Sequence, residues 1–145
     1  MTINDIQDEI IEEFTDIEDW MDRYAYIIEL GNSLDPIAES DKTPANLIEG
    51  CQSRVWITAS RDSEGNVIFS ADSDAMIVKG IISMLIRVLS GHKPHEILDT
   101  ELYFIDKIGL SEHLSPTRSN GLVAMVKQIR LYAQAFAAID DGAVR

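Results

Sequence analysis

Residues 53–89 leave this chain few ways to fold. From Ser53 to Ser60 the pattern alternates, with Val55, Ile57 and Ala59 on one face and Arg54, Trp56, Thr58 and Ser60 on the other. That is the period of a strand with one face turned to a core. Arg61-Asp62-Ser63-Glu64-Gly65-Asn66 has turn chemistry, and Val67, Phe69 and Ala71 give the returning strand its own apolar face. A connection that short joins antiparallel neighbours. The segment 75–89 is apolar almost all round, from Met76, Ile77 and Val78 to Val88 and Leu89, as a helix buried against a sheet would be. Gly80 in its middle costs about 1 kcal/mol relative to alanine, so close packing on a neighbour is expected there. Between strand and helix, Asp72-Ser73-Asp74 offers three side chains able to accept from the first helical turn.

The remaining segments are read around that hairpin and helix. Ile6, Ile10 and Ile11 recur at helical spacing between Ile3 and Phe14, with Asp5, Asp8, Glu9, Glu12 and Glu13 on a solvated face. Thr15 or Asp16 is expected to cap a second helix carrying Trp20, Tyr24, Ile27, Ile28 and Leu30, which Gly31-Asn32 would end with a left-handed cap. Residues 32–45 read as a loop with one helical turn at most, and Asn46-Leu47-Ile48 as a short strand. A short helix is expected near Leu102–Ile108, followed by a loop containing His113. Ser115-Pro116 is an N-cap followed by proline at the first helical position, opening a helix striped with Leu122, Met125, Val126, Ile129, Ala133 and Phe136. The tail from Asp140 is expected to fray.

A chain of 145 residues is most simply one domain, 1–145, with a core of its own. The opening Met1-Thr2-Ile3-Asn4-Asp5 turns acidic, unlike a secretory leader, and the longest apolar run, Ala75 to Leu89, is broken by Lys79 and Arg87 and too short to span a bilayer. A cytoplasmic protein is the expectation. The net charge of −13 opposes nucleic acid and anionic membranes, and favours a partner with a complementary positive surface. Histidines 92 and 95 flank a proline and bring no ligand set with them, so no metal site is expected.

Cys51 is the only cysteine. One thiol excludes an internal disulfide, a dithiol redox cycle and a thiolate-held cluster. A cysteine hydrolase would need a histidine base, and His92, His95 and His113 stand in no recognisable catalytic setting. Two readings stay open: a small buried hydrophobe in a plain interaction module, or a single accessible thiolate that attacks a disulfide-type sulfur offered by another molecule. Arg54 or Arg118, folded close, would raise the thiolate fraction. Arg118 stands in the first turn of the last helix, where a positive charge is disfavoured. It is either merely exposed there or faces an anionic site.

Three blocks tip the balance. Gly50-Cys51-Gln52-Ser53-Arg54-Val55-Trp56, then Asp72-Ser73-Asp74-Ala75 with Ile77-Val78-Lys79-Gly80, then Leu114-Ser115-Pro116-Thr117-Arg118-Ser119-Asn120-Gly121-Leu122 resemble the SufE family of cysteine desulfuration proteins in order and spacing. The closely similar CsdE proteins share these motifs. The resemblance implies an α+β fold like that of the IscU-type scaffolds: a small antiparallel sheet of about three strands with helices packed on it. It also implies an accessory sulfur carrier rather than an enzyme. By it, Cys51 takes persulfide sulfur from a SufS-like, pyridoxal-phosphate-dependent cysteine desulfurase and passes it to a SufBCD-like iron–sulfur scaffold complex. The pyridoxal phosphate belongs to the desulfurase, and this chain is expected to bind no cofactor itself. Gln52 and Ser53 would offer hydrogen bonds beside the thiol, Asp74 would hold the Cys51 loop against the helix start, and Arg118 would touch the partner or the thiolate. The carrier could act as a monomer or a homodimer.

Overall fold

The computed structural model describes residues 1–142. The chain forms α1 (Ile3–Thr15), α2 (Trp20–Asn32), β1 (Val55–Arg61), β2 (Val67–Ser73), α3 (Met76–Leu89), α4 (Pro94–Asp99), α5 (Phe104–Lys107), α6 (Leu110–His113) and α7 (Pro116–Asp140). Short 3₁₀ turns occupy Glu39–Asp41 and Pro44–Asn46. This is an α+β architecture: a two-stranded antiparallel hairpin, with Val55 opposite Ser73 and Arg61 opposite Val67, under helices that share one core.

The apolar helix expected at 75–89 is the centre of that core. α3 contacts α2, α1, β2 and α7, and nine of its fourteen residues are buried. Gly80 is where α2 crosses it. A Cβ there would lie 2.1 Å from the Ile27 carbonyl oxygen, and one on Gly31 would lie 2.7 Å from the Gly80 nitrogen. Gly31 is therefore not a left-handed cap. It stays in the helix because its missing side chain lets two backbones touch, and the helix runs to Asn32 with Ser33 as a right-handed cap.

Several local expectations change for physical reasons. α1 continues to Thr15, whose hydroxyl donates to the Ile11 carbonyl, and Asp16 closes that helix. The cap of α2 is instead Asp19, which accepts from the Met21 N–H at 2.8 Å. The stripe that α1 buries is Ile3, Gln7, Ile10 and Phe14, leaving Ile6 and Ile11 half-buried. Gln7 is a fully buried amide that donates to the Glu101 carbonyl and accepts from the Phe104 N–H. The third strand shrinks to one bridge, Leu47 to Trp56, because the 3₁₀ turn ends at Asn46 and the chain turns again at Gly50 (φ +90°).

None of Asp72, Ser73 and Asp74 caps α3. The β2 ladder runs through Ser73, and Ala75 begins the helix without a side-chain cap. Residues 94–99 form a helix with Pro94 at its start, and the expected loop around His113 contains α6, entered through Gly109 (φ +82°). Ser115 caps α7 as its sequence suggests, accepting from the Arg118 N–H. At its far end α7 remains helical to Asp140, which Arg61 grips at 2.6 Å. Asp141 and Gly142 follow as a turn, and residues 143–145 of the expected frayed tail lie outside the described residues.

Candidate functional site: the Cys51 loop

The loop from Glu49 to Arg54 leaves the sheet and returns to it. Ile48 N–H donates to the Val55 carbonyl at 2.8 Å and closes its base. Gly50 takes a left-handed conformation that a side chain would strain, and this turns Cys51 inward. The thiol is half-buried and donates to the Gly121 carbonyl oxygen of α7 at 3.6 Å. Gly121 lies against it: a Cβ there would sit 3.5 Å from Sγ, in ordinary van der Waals contact with the sulfur.

Beside the thiol lies a cavity of about 390 Å³. Cys51, Gln52 and Ser53 form one wall, and Val78, Ile81 and Met125 form an apolar floor. The start of α7 supplies Ser115, Thr117 and Arg118 at the rim. Four of the five residues singled out from the sequence thus share one cavity: Cys51, Gln52, Ser53 and Arg118. Asp74 does not line it. Its Oδ1 accepts from the Arg54 N–H at 3.0 Å, and its own N–H donates to the Arg54 carbonyl at 3.2 Å, fastening the outgoing stem of the loop. Ser73 adds a third bond there, its hydroxyl donating to the Arg54 carbonyl at 2.8 Å.

Burial pushes the Cys51 thiol pKa up. The condition under which Arg54 or Arg118 would enlarge the thiolate fraction, a close approach to the sulfur, is not what sets the direction in this pose, where desolvation favours the neutral thiol. Among the described residues, no histidine lines the cavity. His113 stacks on Trp20 with ring centroids 3.8 Å apart, His95 faces Asp141 at 3.1 Å, and His92 lends its backbone to Val67. The site therefore holds one nucleophile without a neighbouring base. Among the described residues, no three His, Cys, Asp or Glu side chains gather to hold a metal.

Lys42 and Asp72 escape a reading of the sequence as parts of this region. Asp72 is 5% exposed, with Lys42 and Lys79 ammonium groups each 3.4 Å from its carboxylate. Burial acts to raise its pKa, but the Ser73 N–H and the two lysines outweigh it and hold the carboxyl below the usual range. Nothing local announces a pair thirty positions apart. Gly121 stands in the third family block and Met125 in the apolar stripe of the last helix, and neither is marked by the sequence as a neighbour of the thiol.

Comparison with known proteins agrees with this architecture. The solution structure of a hypothetical protein from Thermus thermophilus superposes with a TM-score of 0.74, covering 92% of this chain and 96% of that one at 20% identity, a likeness of fold. A family model described as the SufE, Fe-S metabolism associated domain, matches residues 8–133. The chain belongs to the SufE family, and its place is in iron–sulfur metabolism.

Proposed function

We propose that this protein is a sulfur acceptor and carrier. It takes persulfide sulfur from a cysteine desulfurase onto Cys51, stimulates that desulfurase, and passes the sulfur to an iron–sulfur scaffold complex. The observation that carries the reading is the placement of the chain's one thiol, at a loop tip over a cavity with Arg118 on its rim, in a SufE-family fold. The protein works as an accessory of the desulfurase in the cytoplasm, and the pyridoxal phosphate is the desulfurase's own.

The transfer needs no oxidant. The Cys51 thiolate attacks the outer sulfur of the desulfurase's cysteine persulfide, a new S–S bond forms at Cys51, and the old one breaks. The desulfurase leaves as its thiolate, which takes up a proton. Parked against Gly121, Cys51 is protonated and a poor nucleophile. Docking that swings the loop outward removes the desolvation and restores the ordinary thiolate fraction. Protonated in the parked pose, the thiol reacts more slowly with peroxide, which consumes the thiolate. Gln52 and Ser53 bond the persulfide or the partner's backbone, Asp74 keeps the outgoing stem fixed, and Arg118 meets the persulfide anion or a carboxylate of the partner.

The test is the intact mass of the protein after mixing with a cysteine desulfurase and free cysteine. A gain of one sulfur atom on native protein, lost on reduction and missing from Cys51→Ser, is the expected outcome. No gain with a desulfurase that is itself persulfidated would remove the carrier reading.

A further inference from the structure

Both arms of the Cys51 loop are fastened to one tripeptide, Asp72-Ser73-Asp74. The outgoing arm is held at Arg54 by Ser73 and Asp74. The incoming arm is held at its foot by the Ile48 N–H on the Val55 carbonyl and the Leu47–Trp56 bridge, and upstream of these by Lys42. Its Nζ lies 3.4 Å from Asp72 Oδ2, 2.9 Å from Glu39 Oε1, and 5.4 Å from the centre of the Trp56 ring. From Asp35 to Ala45 only Ile37 is buried, and among the described residues the hydrogen bonds of residues 38–45 close within residues 38–47. Among the described residues, Lys42 is therefore the ion-pair tie between this strap and the body of the protein. Trp56, under the Lys42 ammonium, is also the residue that bridges to Leu47 at the foot of the loop.

We propose that Lys42 and Asp72 form a clasp that holds the Cys51 loop in its parked pose, with Lys42 as a positioning residue for the thiol. Asp72 is buried on β2, so its charge needs the groups around it, and removing Lys42 leaves it with Lys79 and the Ser73 N–H. The strap then keeps Ile37 as its anchor, and the foot of the loop loses the cation over Trp56. A carboxylate on a docking protein that drew Lys42 off Asp72 would release the incoming arm, while Arg54 stayed hinged. That consequence for sulfur transfer rests on the acceptor reading above; the clasp itself is tested without a desulfurase.

The experiment is the rate of Cys51 alkylation by iodoacetamide in the full chain, comparing native protein with Lys42→Met and Lys42→Arg. Loss of one partly exposed ion pair should speed alkylation about fivefold in Lys42→Met. Lys42→Arg should alkylate at the native rate, because arginine keeps the charge and stacks on an aromatic ring. Added salt should raise the native rate toward that of Lys42→Met and leave the variant unchanged. Amide exchange should quicken in residues 38–54 of Lys42→Met and stay native in α3. A native alkylation rate in Lys42→Met would overturn the clasp, as would faster exchange spread evenly through α3.

Discussion

The Cys51 sulfhydryl donates to a carbonyl, an arrangement that only the protonated sulfur can make, and its burial works in the same direction. Alkylation should therefore rise with pH through an inflection above the free-cysteine value of roughly 8.5. In denaturant the inflection should fall back to that value. A folded-state inflection at or below it would mean that a cation reaches the sulfur in the resting pose. At this scale the sequence was informative about identity and poor about neighbours. Cys51, Gln52, Ser53 and Arg118 do meet at one cavity, but Gly121, whose carbonyl receives the thiol, comes from seventy residues away. Asp74 turns out to fasten a stem rather than cap a helix, since β2 runs on to Ser73 and the helix starts behind it.

The contact of α2 with α3 is decided by two glycines. Gly80→Ala would drive a methyl group into the Ile27 carbonyl, which cannot move without shifting α2. Overpacking of this kind costs about 3 kcal/mol, which for a domain of this size lowers Tm by about 6–12 °C. Thermal unfolding followed by circular dichroism checks it, and an unchanged Tm would mean that the helices separate at little cost. The expectation of close packing at Gly80 needed only its place in an apolar helix. Gly31 was misread, because a glycine near the end of a helical stripe looks the same whether it turns left-handed or stays helical against another backbone. The element that comes across the helix decides which.

The first three helices are also joined on the outside by charge. Arg87 of α3 reaches Glu9 at 2.6 Å and Glu13 at 2.5 Å on α1, and Tyr26 of α2 donates to Glu13 at 2.6 Å. The Arg87 hydrogen bond holds Glu13 below the usual carboxylate range, against some desolvation. A lowered folded-state pKa stabilises above the ordinary glutamate value of about 4.3, and that contribution is lost as pH falls through the folded value. Arg87→Met should cost about 1 kcal/mol at neutral pH. Its urea midpoint should converge on the native one in acid. A gap that persists there would assign the loss to the packing of the arginine stem instead.

What the sequence determined by itself were the pieces whose signal is local: the hairpin alternation, the all-apolar helix, the Ser115-Pro116 start of α7, and the family blocks around Cys51. These rest on periodicity, turn chemistry and capping, which neighbouring residues carry among themselves. Tertiary structure decided the rest. It reduced the third strand to a bridge, placed Gln7 in the core as a satisfied amide, set Gly31 against Gly80, and brought Lys42 to Asp72. It also set the electrostatics of the thiol, which the sequence left open, because a pKa answers to what surrounds the group in space. Burial beside α7 is a property of the folded chain that no stretch of eight residues around Cys51 contains.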